Sequence, residues 1–97
     1  MRFSWDPRKS ARNLADRGFD FAFAAAIFTG PTVERIDTRR DYGEVRRIAL
    51  GRFAAVTLTL VYTDRVAADG LQERRIISAR VSTRRERKAY DQAYPEA

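Results

Sequence analysis

Two rhythms of apolar residues divide the chain at Gly30-Pro31. Ahead of that turn, Phe3 to Trp5 is a short strand-like run ended by Asp6-Pro7, an N-cap acid directly before a proline suited to the first helical position. A helix is expected from Pro7 to about Arg17, stopped by Gly18. Asp20 then caps a second helix over FAFAAAIF, where Phe23/Ile27 and Ala24/Phe28 stand four apart on one stripe. Beyond Gly30-Pro31 the pattern alternates as strands do: VERIDT, EVRRIAL and FAAVTLTLVYT, with turns at Asp41-Tyr42-Gly43 and Gly51-Arg52. Asp69-Gly70 closes the next hairpin, and the strand after it runs through Arg74 to Val81. Thr83 with Glu86 three residues later forms a capping box, so a last helix begins near Arg84 and docks through Ala89, Tyr90 and Ala93. The expected class is α+β in one domain over residues 1–97. It comprises two N-terminal helices, a four-stranded or slightly larger antiparallel sheet with the short first strand at its edge, and a C-terminal helix.

A two-residue turn at Gly51-Arg52 would set Leu50 against Phe53, Ile48 against Ala55, Arg46 against Thr57 and Glu44 against Thr59. Val45, Ala49, Val56, Leu58, Leu60 and Tyr62 then share the opposite, more apolar side, which the helices should cover. Glu44, Arg46, Thr57, Thr59 and Thr63 are left on an open face. Alternation in the last strand adds Arg74, Ser78 and Arg80 to that face and sends Arg75 to the other, unless a bulge intervenes.

The chain is 44% hydrophobic and 11% aromatic, which excludes a disordered chain, and its net charge of +6 points to polyanions or an acidic protein partner. It has no cysteine and no histidine, so disulfides, Cys/His zinc sites, thiol nucleophiles and histidine general bases are excluded. The apolar runs are shorter than the ~20 residues of a membrane span, and MRFSWDP has no signal-peptide core; a cytoplasmic protein without membrane contact is expected.

FSWDPRKSARN, GFDFAFAAAIF, the Glu44-x-Arg46-x4-Gly51 spacing, LVYTDR and RRIISARVSTRRERKAY occur in an order that resembles the BrnT toxins of bacterial type II toxin-antitoxin pairs. The resemblance covers nearly the whole chain. It implies a RelE-like fold, RNA cleavage that inhibits growth, and neutralisation by a BrnA-type antitoxin with a ribbon-helix-helix domain. It also implies that the complex contacts operator DNA through the antitoxin. No cofactor or metal is expected. The sequence departs from the family's usual Lys-His-Gly before the second helix, reading Asp16-Arg17-Gly18 instead.

Metal-independent RNA cleavage needs a base near the 2′-hydroxyl and cations facing the phosphorus. Glu44 is the candidate base, with Arg46 and Arg80 holding the scissile phosphate and Lys9 as a further catalytic candidate. Arg74, Arg75, Ser78, Arg84, Arg85, Arg87 and Lys88 are candidate RNA contacts, and Tyr90 a proton donor or stacking face. The bland alternatives are an ion pair for Glu44 and Arg46, a solubilising ladder for the strand arginines, a solvated helix face for Arg84 to Lys88, and core packing for Tyr90. The rival function is a nucleic-acid-binding corepressor or interaction subunit in which no bond is broken.

Overall fold

The computed structural model describes residues 1–96. In chain order they form β1 (Arg2–Trp5), α1 (Pro7–Arg17), α2 (Phe21–Ala25) running into a 3-10 turn (Ala26–Thr29), β2 (Thr32–Ile36), β3 (Arg47–Phe53), β4 (Val56–Val66), β5 (Gln72–Val81) and α3 (Arg84–Ala93). The expected caps are present: Asp6 accepts from the Arg8 amide, Gly18 ends α1 at φ 86°, and Asp20 accepts from the Phe23 amide. Thr83 and Glu86 form the reciprocal capping box of α3. The second helix is shorter than expected, tightening to the 3-10 form at Ala26, where Ile27 packs onto Gly51 and Phe28 reaches the rings of Phe3 and Tyr62.

The strands form one five-stranded sheet in the order β1-β5-β4-β3-β2. It is mixed, which corrects the expectation of a purely antiparallel sheet: β1 pairs in parallel with β5, from Arg2 opposite Glu73 to Trp5 opposite Ile76. Parallel neighbours need a long crossover, and residues 6–71 lie between these two strands. Phe19, Phe21, Ala24 and Ile27 press onto Ala49, Leu58, Leu60, Tyr62, Ile76 and Ala79 to make the core, so α1 and α2 cover one face as the alternation requires.

The hairpin register differs from the expected one. The β3–β4 turn is Ala54-Ala55, both at positive φ (51° and 65°), and it sets Phe53 against Val56, Gly51 against Leu58 and Leu50 against Thr59. Gly51 is therefore no turn glycine; a Cβ there would stand 2.7 Å from Ile27 Cβ, so its missing side chain admits the 3-10 turn onto the sheet. Each residue's partner moves by six positions, an even number, so the division of β3 and β4 between the two faces survives the error. Glu44, Val45 and Arg46 lie outside the strand, in the β2–β3 loop.

The second face is less open than expected, because α3 lies across one end of it. Tyr90 is buried and donates its hydroxyl to the Pro31 carbonyl, and Tyr94 donates to the Thr32 carbonyl. Arg52 pairs with Asp91 and stacks on the Tyr90 ring. Ile48, Leu50, Thr57 and Thr59 are buried on this side.

Candidate active site

β5 holds one residue more than β4 needs. Val61 faces Ser78 and Tyr62 faces Ile76, so Ile77 is an unpaired bulge residue and side-chain alternation resets there. The bulge corrects the expected placement of the two adjacent arginines. Arg74 turns to the α1–α2 face, its guanidinium 4.2 Å from the Tyr62 ring centroid and 4.6 Å from that of Phe28, with Asp64 accepting two hydrogen bonds. Arg75 faces Thr63 and shares the α3 side with Ser78 and Arg80.

Across the sheet on that side, Arg80 lies opposite Thr59, Thr59 opposite Leu50, and Leu50 opposite Val33. The next row carries Ser78, Val61, Ile48 and Arg35. Between this surface and the first turns of α3 opens a cleft of about 480 Å³, floored by Val33, Ile48, Leu50 and Ala89 and rimmed by Glu34, Arg35, Thr83, Arg85 and Glu86. The floor can take a planar apolar ring, and the rim sets the cations Arg35 and Arg85 beside Glu34 and Glu86, so a nucleobase can lie on the floor with its phosphate at the arginines.

Arg80 reaches across to Glu86 with two parallel bonds, Nη1 to Oε1 at 2.7 Å and Nη2 to Oε2 at 3.0 Å. Oε1 also accepts the Thr83 amide that starts α3. The Arg80 hydrogen bonds hold the Glu86 carboxyl down to about 2, against the opposing effect of its burial. A guanidinium fork of this geometry fits a phosphate as well as a carboxylate.

Glu44 and Arg46 pair with each other at 2.9 Å in the β2–β3 loop, where Arg46 also stacks on the Tyr42 ring. The loop is organised by Asp37, whose buried carboxylate takes the Arg39 amide, the Arg39 guanidinium and the Tyr42 hydroxyl. Asp37 is held well below the usual carboxylate range, chiefly by the Arg39 side chain. Lys9 is on α1 and lines a separate, smaller groove with Arg12, Ile77 and Ala79. Arg84, Arg85, Arg87 and Lys88 are exposed on α3, Arg87 donating to the Ser82 carbonyl. Burial pushes the Tyr90 hydroxyl above its ordinary value, which fits a packing role better than proton donation. Sequence reasoning missed Arg35 and the site placement of Glu86. The shared parity of Val33 and Arg35 was a signal for the first, whereas Glu86 was already accounted for as a helix cap.

Residues 5–86 match the family model of the ribonuclease toxin BrnT of type II toxin-antitoxin systems. The chain belongs to the BrnT family. No curated protein gives a match. The BrnT match reaches Glu86, so it spans the Arg80–Glu86 pair and the cleft lining except Ala89, and leaves out Tyr90. A ribonuclease toxin implies an RNA target and an antitoxin partner. Among the described residues no three His, Cys, Asp or Glu side chains gather as metal donors, and none of the helices is long and apolar enough to cross a membrane.

Proposed function

We propose that this BrnT-family chain cleaves RNA without a metal on the α3 side of its sheet. A BrnA-type, ribbon-helix-helix antitoxin neutralises it, and the complex represses its own operon by binding operator DNA. The observation that carries the reading is the bidentate Arg80–Glu86 pair, whose Glu86 stands at the rim of the cleft.

An RNA phosphate entering the cleft competes with Glu86 for the Arg80 fork. While the pair is closed, Glu86 is a weak base, because the same contacts that lower its proton affinity stabilise its charge. Once the phosphate takes Arg80, Glu86 loses that stabilisation and becomes basic enough to accept the 2′-hydroxyl proton. The 2′-oxygen attacks phosphorus, the bond to the 5′-oxygen breaks, and solvent supplies that oxygen's proton. Arg80 and Arg35 offset the charge building on the phosphorane-like transition state, with Arg75 and Ser78 along the path of the strand and Arg85 at the rim. The Glu44–Arg46 pair lies in the loop beyond this cleft and in this reading contacts flanking RNA.

The test compares two isosteric variants. Glu86→Gln keeps the capping side chain's size and should slow cleavage by about 10²- to 10⁴-fold with RNA binding retained, whereas Glu44→Gln should cut at close to the parent rate. The opposite ranking would return the base to Glu44. Parent-rate cleavage by both would favour the non-catalytic, phosphate-binding alternative.

A further inference from the structure

β1 pairs with β5 only from Glu73 to Ile76, because Pro7 carries the chain away into α1, while β5 continues to Val81. On the side away from β4, its last five residues have no strand neighbour among the described residues. The Ser82 amide bonds to the Thr57 carbonyl, and antiparallel alternation then turns the backbone groups of Arg80 toward β4 and those of Ala79 and Val81 toward the free edge. Beside that edge lies a groove of about 190 Å³, with Phe21, Ile77 and Ala79 in its floor and Lys9, Arg12 and Arg17 on the α1 wall, against the single acid Asp16. The groove leads to an exposed apolar strip in which Val81 is 50% exposed, opposite Leu58, with Phe53 and Val56 at the neighbouring hairpin tip.

We infer that this edge takes an added β-strand from a partner protein, an extended segment that alternates apolar and acidic residues. The free backbone edge supplies main-chain hydrogen bonds, Val81 and the groove floor take the apolar side chains, and the α1 cations take the acids. RNA has no peptide backbone to continue the ladder with alternating N–H and C=O groups, and offers no apolar side chain to Val81. A second copy of this chain would bring another net +6 to an already basic groove. The antitoxin of a type II pair is the natural source of such a segment. That identification rests on the toxin reading, whereas the groove itself does not.

The probe is an end-capped eight-residue peptide of alternating valine and glutamate, added to the full chain and followed by amide hydrogen exchange and titration. Protection should appear at Ala79 and Val81. Arg12→Ala with Arg17→Ala should weaken binding at least about tenfold, as expected for two lost charge-assisted contacts, with an unchanged melting temperature. N-methylation of alternate peptide amides alters no protein residue and should abolish binding. Absence of binding at millimolar peptide, protection at β2 instead, or indifference to N-methylation overturns the inference. Displacement of the peptide by oligouridylate from the same amides would make RNA the occupant and overturn it as well. No step reads RNA cleavage, so failure here leaves the ribonuclease reading intact, and an inactive enzyme leaves the groove intact.

Discussion

Glu86 serves two roles that make different demands on one carboxylate. As the third residue of α3 it accepts the Thr83 amide, which an uncharged carbonyl oxygen could also do, whereas opposite Arg80 it is ionised because the guanidinium stabilises the charge. Its folded-state value is lowered, so its contribution to stability is fully present above the ordinary carboxylate value of about 4.3 and is lost as pH falls toward about 2. Arg80→Ala should therefore reduce the extra acid sensitivity that appears below pH ~4, measured as the difference in melting temperature between neutral and acid buffer. The same variant should weaken RNA binding by about 1 to 3 kcal/mol, the range for a charge-assisted contact, and slow cleavage by more than that. With no histidine in the chain, the pH-rate profile should show no imidazole inflection near ~6.5. An inflection in the Glu86→Gln variant at that pH would point to a titrating group outside this account.

The β3–β4 hairpin shows packing overriding turn chemistry at the scale of an element. Ala54 and Ala55 occupy left-handed backbone that costs L-residues roughly 1–2 kcal/mol each, while a favoured turn glycine lies three residues away. Turning at Gly51-Arg52 would leave Gly51 at a hairpin tip instead of under Ile27, where the 3-10 turn must approach the sheet. Replacing Ala54-Ala55 with Asn-Gly should stabilise the protein by about 1 kcal/mol, by relieving that strain in a type I′ position. Gly51→Ala should destabilise it by about 1–3 kcal/mol through overpacking. Chemical denaturation of the two variants checks both signs, and a neutral Gly51→Ala would mean that the 3-10 turn can move away.

For the whole molecule, positive charge gathers on the outer face of α3 and on the α1 wall of the smaller groove, whereas the cleft lining sets Arg35 and Arg85 beside Glu34 and Glu86. Arg84 and Lys88 are exposed on α3 away from the groove. If RNA passes over them, removing both should flatten the log-log dependence of RNA binding on salt by up to about 1.4, at about 0.7 per phosphate contact in a single strand. Cleavage at low salt should persist. Loss of cleavage with an unchanged slope would move the active site onto the outer face of α3.

Short-range rules set by one or two residues were legible in the sequence: the caps at Asp6, Asp20 and Thr83, the Gly18 stop, and the faces of β3 and β4, which follow from alternation alone. Family membership was legible too, since ordered motifs are a property of the chain itself. Tertiary structure decided what depends on contacts between distant segments. Gly51 reads as a turn residue until Ile27 is laid upon it. Arg74 and Arg75 read as facing opposite ways from their actual sides until the pairing of β4 with β5 forces a bulge at Ile77. Glu86 reads as a helix cap, and becomes a candidate base only when α3 docks and brings it to Arg80. Local sequence encodes periodicity and capping because the interacting groups are covalently close. Register, bulges and the meeting of side chains across elements are fixed by how much apolar surface the whole fold buries at once, a quantity no local stretch contains.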